Sequence, residues 1–124
     1  MAVSFFDTFT PQEVARISAA GTAVRVPQGW SPIWERTPAD KAYILLEGTV
    51  SVRRNGEEIA QVGPGEILGE AAIVNHSLRT ASIVALTPLE LIHFTDQTVL
   101  RLCKEIPAFE KALRTAADER LGVS

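Results

Sequence analysis

A mainly β domain with helices at both ends is what this sequence predicts, on three observations. Six of the eight glycines lie between Gly29 and Gly69. Short strand-like runs follow one another from Thr22 to Phe94 at near-even spacing. Helical periodicity replaces them before Gly21 and after Phe94. Many short strands separated by turn residues argue for a sandwich or barrel. With 124 residues, one domain over 1–124 is expected. A first helix is expected over about 11–20, the β body over about 22–94 and helices over about 96–121.

The first helix is marked by Thr10-Pro11-Gln12-Glu13, a capping box with proline at the first helical position. Phe9 and Val14 stand where a hydrophobic staple would be. Val14, Ile17 and Ala20 share one face, and Gly21 is a suitable stop. The strand-like runs are Thr22–Val26, Ile33–Glu35, Ala42–Glu47, Thr49–Arg54, Glu57–Val62, Arg79–Leu86 and Leu89–Phe94. Val50 and Val52 alternate with Ser51 and Arg53, as in a half-buried strand. Asn55-Gly56 predicts a two-residue hairpin turn, and Gly63-Pro64-Gly65 a second sharp turn. Thr95 or Asp96 caps the next helix, which carries Val99, Leu100, Leu102, Cys103 and Ile106. After Pro107 the stripe Phe109, Leu113, Ala116, Ala117 and Leu121 marks the last helix. That stripe is read first as packing on the barrel. Its second reading is a lid or a dimer seam, with Arg114 and Arg120 within reach of a ligand.

Composition narrows the function. The formal charge is −3, which is no footprint for nonspecific nucleic-acid binding. No run approaches the ~18 apolar residues of a membrane span. The start, MAVSFFDTFTP, lacks the basic region of a secretory signal, so a cytoplasmic location is the expectation. Cys103 is the single cysteine and is read as a small core residue. His76 falls in a loop and His93 in a strand, with no carboxylate pattern beside them to build a metal site. No Gly-x-Ser-x-Gly elbow occurs, and Ser77 and Ser82 lack a recognisable base, so no enzyme activity is expected. Between Arg101 and Arg120 the charges are mixed in sign, as on a solvated helix face.

The chemistry concentrates in Gly65–Ala85, GEILGEAAIVNHSLRTASIVA. Gly69 precedes Glu70-Ala71-Ala72, where a short helical turn would leave amides free to meet an anion. Nine residues beyond Glu70 stands Arg79. Arg79, Ala81, Ile83 and Ala85 share one strand face, and three of them are small or apolar, so the face points inward. An arginine opening a core-facing row is costly unless an anion meets it. Its planar fork suits two phosphate oxygens, and the Glu70 carboxylate suits a sugar hydroxyl. Together they describe a pocket for a small phosphorylated sugar.

These residues resemble the cyclic nucleotide-binding domain family. The likeness runs through Tyr43–Val50, Asn55-Gly56, Gly63 and Gly65, Leu68-Gly69-Glu70 and Arg79-Thr80-Ala81-Ser82. The last two segments are similar to the family's phosphate-binding cassette. The resemblance implies an eight-stranded jelly-roll β-barrel with an N-terminal helix and a C-terminal helix pair. It implies that Glu70 takes the ribose 2′-hydroxyl and Arg79 the cyclic phosphate. Ala71 and Ala72 follow as backbone phosphate contacts behind Gly69, Ala81 as an amide donor, and Thr80 as a hydroxyl beside the phosphate that can help hold a guanine base without settling cAMP against cGMP. It implies cAMP or cGMP as ligand, no cofactor and no metal. A stand-alone sensor is the expectation, signalling through an unknown effector protein, with a homodimer as an option. The family usually has Phe where Leu68 stands, a larger apolar residue at Ala71 and proline at Leu78. It also has a Gly-Asp turn where this chain has Arg36-Thr37, a change expected to touch the turn rather than the site. The first three departures support an alternative: a degenerate fold kept as a protein–protein scaffold.

Overall fold

The computed structural model of the chain describes residues 5–75 and 77–119. His76, Arg120, Leu121 and the tail Gly122-Val123-Ser124 lie outside them, as does the side chain of Ala117. A 3-10 turn, Phe5–Thr8, precedes α1, Pro11–Ala20. The capping box forms as read: the Glu13 amide donates to Thr10 Oγ1 at 3.2 Å, and the Thr10 amide to Glu13 Oε1 at 2.9 Å. The strands are β1 (Thr22–Val26), β2 (Lys41–Glu47), β3 (Val50–Arg54), β4 (Glu57–Val62), β5 (Ile67–Leu68), β6 (Ser82–Ala85) and β7 (Leu89–Thr95). A short α2, Glu70–Val74, sits between β5 and β6, while α3, Asp96–Glu105, and α4, Pro107–Glu119, close the chain.

Two antiparallel sheets result, ordered β1-β7-β2-β5 and β4-β3-β6. Strand alternation divides the core between them. From β2 and β7, Tyr43, Leu45, Leu89 and Leu91 face Val50, Val52, Ala81, Ile83 and Ala85. On the opposite side Ala42, Ile44, Ile92 and Phe94 pack against Ile17, Val99, Leu102, Phe109 and Leu113 of the helices. Covered on both faces, β2 reads as an uninterrupted apolar run over Ala42–Leu45 rather than an alternating one. Asn55 and Gly56 both take positive φ, 53° and 82°, as a primed hairpin turn requires.

Three expectations need correcting. The described residues hold seven strands, not eight, and helices cover about as much chain as strands, so the fold is mixed α/β rather than mainly β. The run Ile33–Glu35 supplies only one bridge, Ile33 to Ile83, because Pro32 and the turn at Arg36 leave no length for a ladder. The run Arg79–Leu86 is a strand only from Ser82, since the Arg79 amide and carbonyl bond to Thr37 and Arg36 in the neighbouring loop. Gly21 does end α1, but in extended backbone (φ −105°, ψ −178°). Space requires the glycine: a Cβ there would stand 2.4 Å from Ile92 Cγ2.

The Phe109, Leu113 and Ala116 part of the α4 stripe packs into the helix-side core, as the first reading of that stripe expected. Phe109 meets Phe5 edge-on at 5.8 Å and stacks with Phe9 at 6.3 Å between centroids. We expect Phe109→Ala to lower the unfolding free energy by about 3–5 kcal/mol in a urea titration.

Candidate functional site

The site begins where β5 ends. Gly69 turns the chain with φ 86°, a conformation open to glycine at little cost, and caps α2 without a side chain. Glu70 opens α2 and is fully buried, with 0% exposure. Ala71 and Ala72 follow it into the interior. Arg79 is buried as well, at 2% exposure, and Ala81, Ile83 and Ala85 continue its inward row. The alternation read from sequence therefore extends past the formal end of the strand. Thr80 between them is exposed.

The Arg79 guanidinium spans two elements. Nη1 donates to the Gly69 carbonyl and Nη2 to the Lys41 carbonyl at the start of β2. These are the side-chain bonds Arg79 makes among the described residues, and a guanidinium carries five N–H groups. Burial pulls its pKa below the ordinary guanidinium value, while the charges of Asp40, Glu70 and Tyr43 work in the opposite sense. The same burial raises the Tyr43 pKa, against the pull of Arg79. A cation is thus held where water does not solvate it fully, next to carboxylates that offset only part of that cost.

Sequence reasoning missed four contributors. Asp40 and the Lys41 carbonyl face Arg79 from a loop and strand far away in the chain, so no local signal announces them. Arg36 was placed in a turn away from the site. Instead its amide donates to the Arg79 carbonyl at 2.7 Å, and its Nη2 to Asn55 Oδ1 at 2.9 Å. It holds φ 67°, a strained value for a residue with a side chain. The fourth is Arg54, whose Nε donates to the Thr80 carbonyl at 3.0 Å.

Leu78 is largely exposed and shares a cleft with Ala72, Ile73 and Leu100, so the loop after α2 leaves apolar surface open. Helix α4 packs on α2, which places the C-terminal helix directly behind the Glu70 segment. Arg114 on α4 pairs with Glu110 at 3.4 Å. His93 lies edge-on to the Tyr43 ring, 5.4 Å between centroids. Among the described residues no group of three His, Cys, Asp or Glu side chains gathers as a metal site would need. No described helix is long and apolar enough to cross a membrane.

A buried arginine bracing a Gly-Glu turn beneath an antiparallel β roll can now be compared with known proteins. The profile of the family described as "Cyclic nucleotide-binding domain" matches residues 23–106, more than half of the chain. The chain belongs to the cyclic nucleotide-binding domain family. It is 29% identical over 123 residues to a cyclic nucleotide-gated potassium channel of Mesorhizobium japonicum, covering 99% of this chain and 34% of the channel. It is 37% identical over 84 residues to the cAMP-dependent protein kinase type II regulatory subunit of Drosophila melanogaster, covering 64% of this chain and 20% of that subunit. The chain thus spans about a third or less of these curated relatives. Among solved structures, the Thermus thermophilus catabolite activator protein superposes with a TM-score of 0.84 at 26% identity, over 94% of this chain and 57% of that one.

Two expectations follow from the geometry. A Cβ at Gly69 would stand 2.7 Å from Arg79 Nη1 and 2.9 Å from Ile33 Cδ1. Together with the positive φ, Gly69→Ala should cost at least about 1–2 kcal/mol in chemical denaturation and displace the guanidinium. Cys103 is half-buried beside Glu110, and burial lifts its thiol pKa above the ordinary range. Less thiolate is then present at pH 8, so iodoacetamide should modify native Cys103 more slowly than free cysteine, with the rate recovering in urea.

Proposed function

We propose that this domain binds a cyclic nucleotide, cAMP or cGMP, and passes the event to a partner protein. One observation carries the reading: a buried arginine and a buried glutamate face one another across the Gly69 turn. In this reading the cyclic phosphate meets the N–H groups of Arg79 not engaged with Gly69 and Lys41, together with the amides of Ala71, Ala72 and Ala81. Glu70 accepts from the ribose hydroxyl, and Thr80 stands beside the phosphate. An anion placed there supplies the negative charge that burial withholds from Arg79, which makes the interaction stronger than it would be in water. Because α2 packs on α4, movement of the filled cassette reaches the C-terminal helices. The output is then a shift in population that a partner reads.

The scaffold reading retains one specific support. Arg79 already braces two backbone carbonyls, so the guanidinium has structural work to do without a guest.

Thermal melting separates the two. If the ligand reading holds, a nucleotide at about a hundred times its Kd stabilises the fold by about 2.7 kcal/mol and raises the melting temperature. Arg79→Glu should abolish the rise, with calorimetric titration reporting the same loss. A melting temperature indifferent to millimolar cAMP and cGMP would favour the scaffold.

A further inference from the structure

Leu100 is a large apolar side chain left partly in water. It sits on α3 at 47% exposure, beside the buried Val99 and Leu102 of the same helix. Two clefts meet at it. One, of about 340 Å³, runs past Ala39, Leu78 and Asp96, and the other, of about 250 Å³, past Cys103, Lys104 and Leu113. Ile73 of α2 lines both, so the clefts form one groove across α2, α3 and α4. Ile73 and Leu113 are buried and floor the groove, while Leu78 and Leu100 stand exposed along it. Apolar surface left in water is unfavourable, and an apolar face laid over it would remove that cost.

Charge at the two ends indicates what covers it. Asp96, Leu100 and Lys104 recur at four-residue spacing, so they lie along one face of α3. Asp96 and Lys104 are eight residues apart, about 12 Å along the helix. Neither makes an ion pair among the described residues, whereas Arg101 pairs with Glu105 and Arg114 with Glu110. An acid at the start of α3 and a base at its end also suit the helix dipole. The dipole does not account for the leucine left uncovered between them. A small apolar ligand has no use for opposite charges held so far apart. A second helix has. Lying antiparallel to α3, it sets an acidic first turn against Lys104 and a basic last turn against Asp96, the arrangement its own dipole favours.

We propose that this groove docks an amphipathic helix of a partner protein, with apolar side chains over Ile73, Leu100 and Leu113 and its acidic end at Lys104. Ile73 belongs to the helix that Glu70 opens, so the docked helix touches the cassette from behind. The groove's role as the output of the domain rests on the cyclic-nucleotide reading above; the surface itself does not.

Alkylation of Cys103, which lines the groove, reports occupancy in the full chain. The probe is a synthetic amphipathic peptide with Glu near its N-terminus, Lys eight residues on and leucines between. A twin peptide has Glu and Lys exchanged. The first peptide at millimolar concentration should slow iodoacetamide modification of wild type at least about tenfold, and the twin should protect less. Leu100→Asp, a change at an exposed position, should abolish the protection. Lys104→Glu should weaken the first peptide severalfold and strengthen a peptide with Lys in place of its Glu. No protection by the first peptide, or protection unchanged in Leu100→Asp, would overturn the proposal. Equal protection by both peptides, with Lys104→Glu indifferent, would overturn the assigned direction and the proposal with it. A dimer in sedimentation that Leu100→Asp dissociates would give the groove to a second copy instead. If calorimetry detects no bound nucleotide while the first peptide still protects, the cyclic-nucleotide reading fails and the docking surface stands.

Discussion

A guanidinium withdrawn from water constrains everything near it. Arg79 links the Gly69 turn to the start of β2 through two carbonyls, so the cassette and the central strand are held by one side chain. The surrounding choices follow. Gly69 has no side chain because the arginine fills the space a Cβ would need. The Arg36 turn accepts a strained φ while its amide bonds the Arg79 carbonyl. Asp40 and Glu70 supply negative charge to a group that burial would otherwise leave poorly compensated. Replacing that arginine with an apolar side chain would strip the Gly69 and Lys41 carbonyls of their donor and take the compensating charge away from Glu70, so the side chain matters to the fold itself.

The strand that receives Arg79 also organises the core. Apolar on both faces, β2 joins the sheet-facing cluster around Leu45 to the helix-facing cluster around Ile44. Helix α2 lies at the junction, with Ile73 in the helix-side cluster and Glu70 toward the arginine. Helix α2 also packs on α4, so the carboxylate end of the cassette and the C-terminal helix adjoin one another. Interiors packed at crystal-like density respond to local changes by shifting between discrete arrangements.

Features written in contiguous residues were legible in the sequence. The Thr10 capping box, the Asn55-Gly56 turn, the Thr95 cap of α3 and the inward row from Arg79 to Ala85 all depend on spacings of a few residues. What escaped depends on distant chain. Strand β5 is two residues long and carries no period. Gly21 is required by Ile92, a β7 residue that pairs opposite Ala23. Arg53 and Arg54 read as an ordinary charged strand end, and only the fold brings Thr80, 26 residues on, within reach of Arg54. Arg36 reads as a harmless replacement in a loop until the Arg79 carbonyl is found against its amide.

The pairing of β1 with β7 has a kinetic consequence. Thr22 lies opposite His93 and Val26 opposite Leu89, so the first strand finds its partner only after nearly the whole β body has been made. On a ribosome, the apolar side of β1 waits unpaired while some seventy residues are added at about 5–20 residues per second. Closing a sheet from its two ends also carries a high loop entropy, which places such topologies toward the slow end of small-domain folding, in milliseconds to seconds.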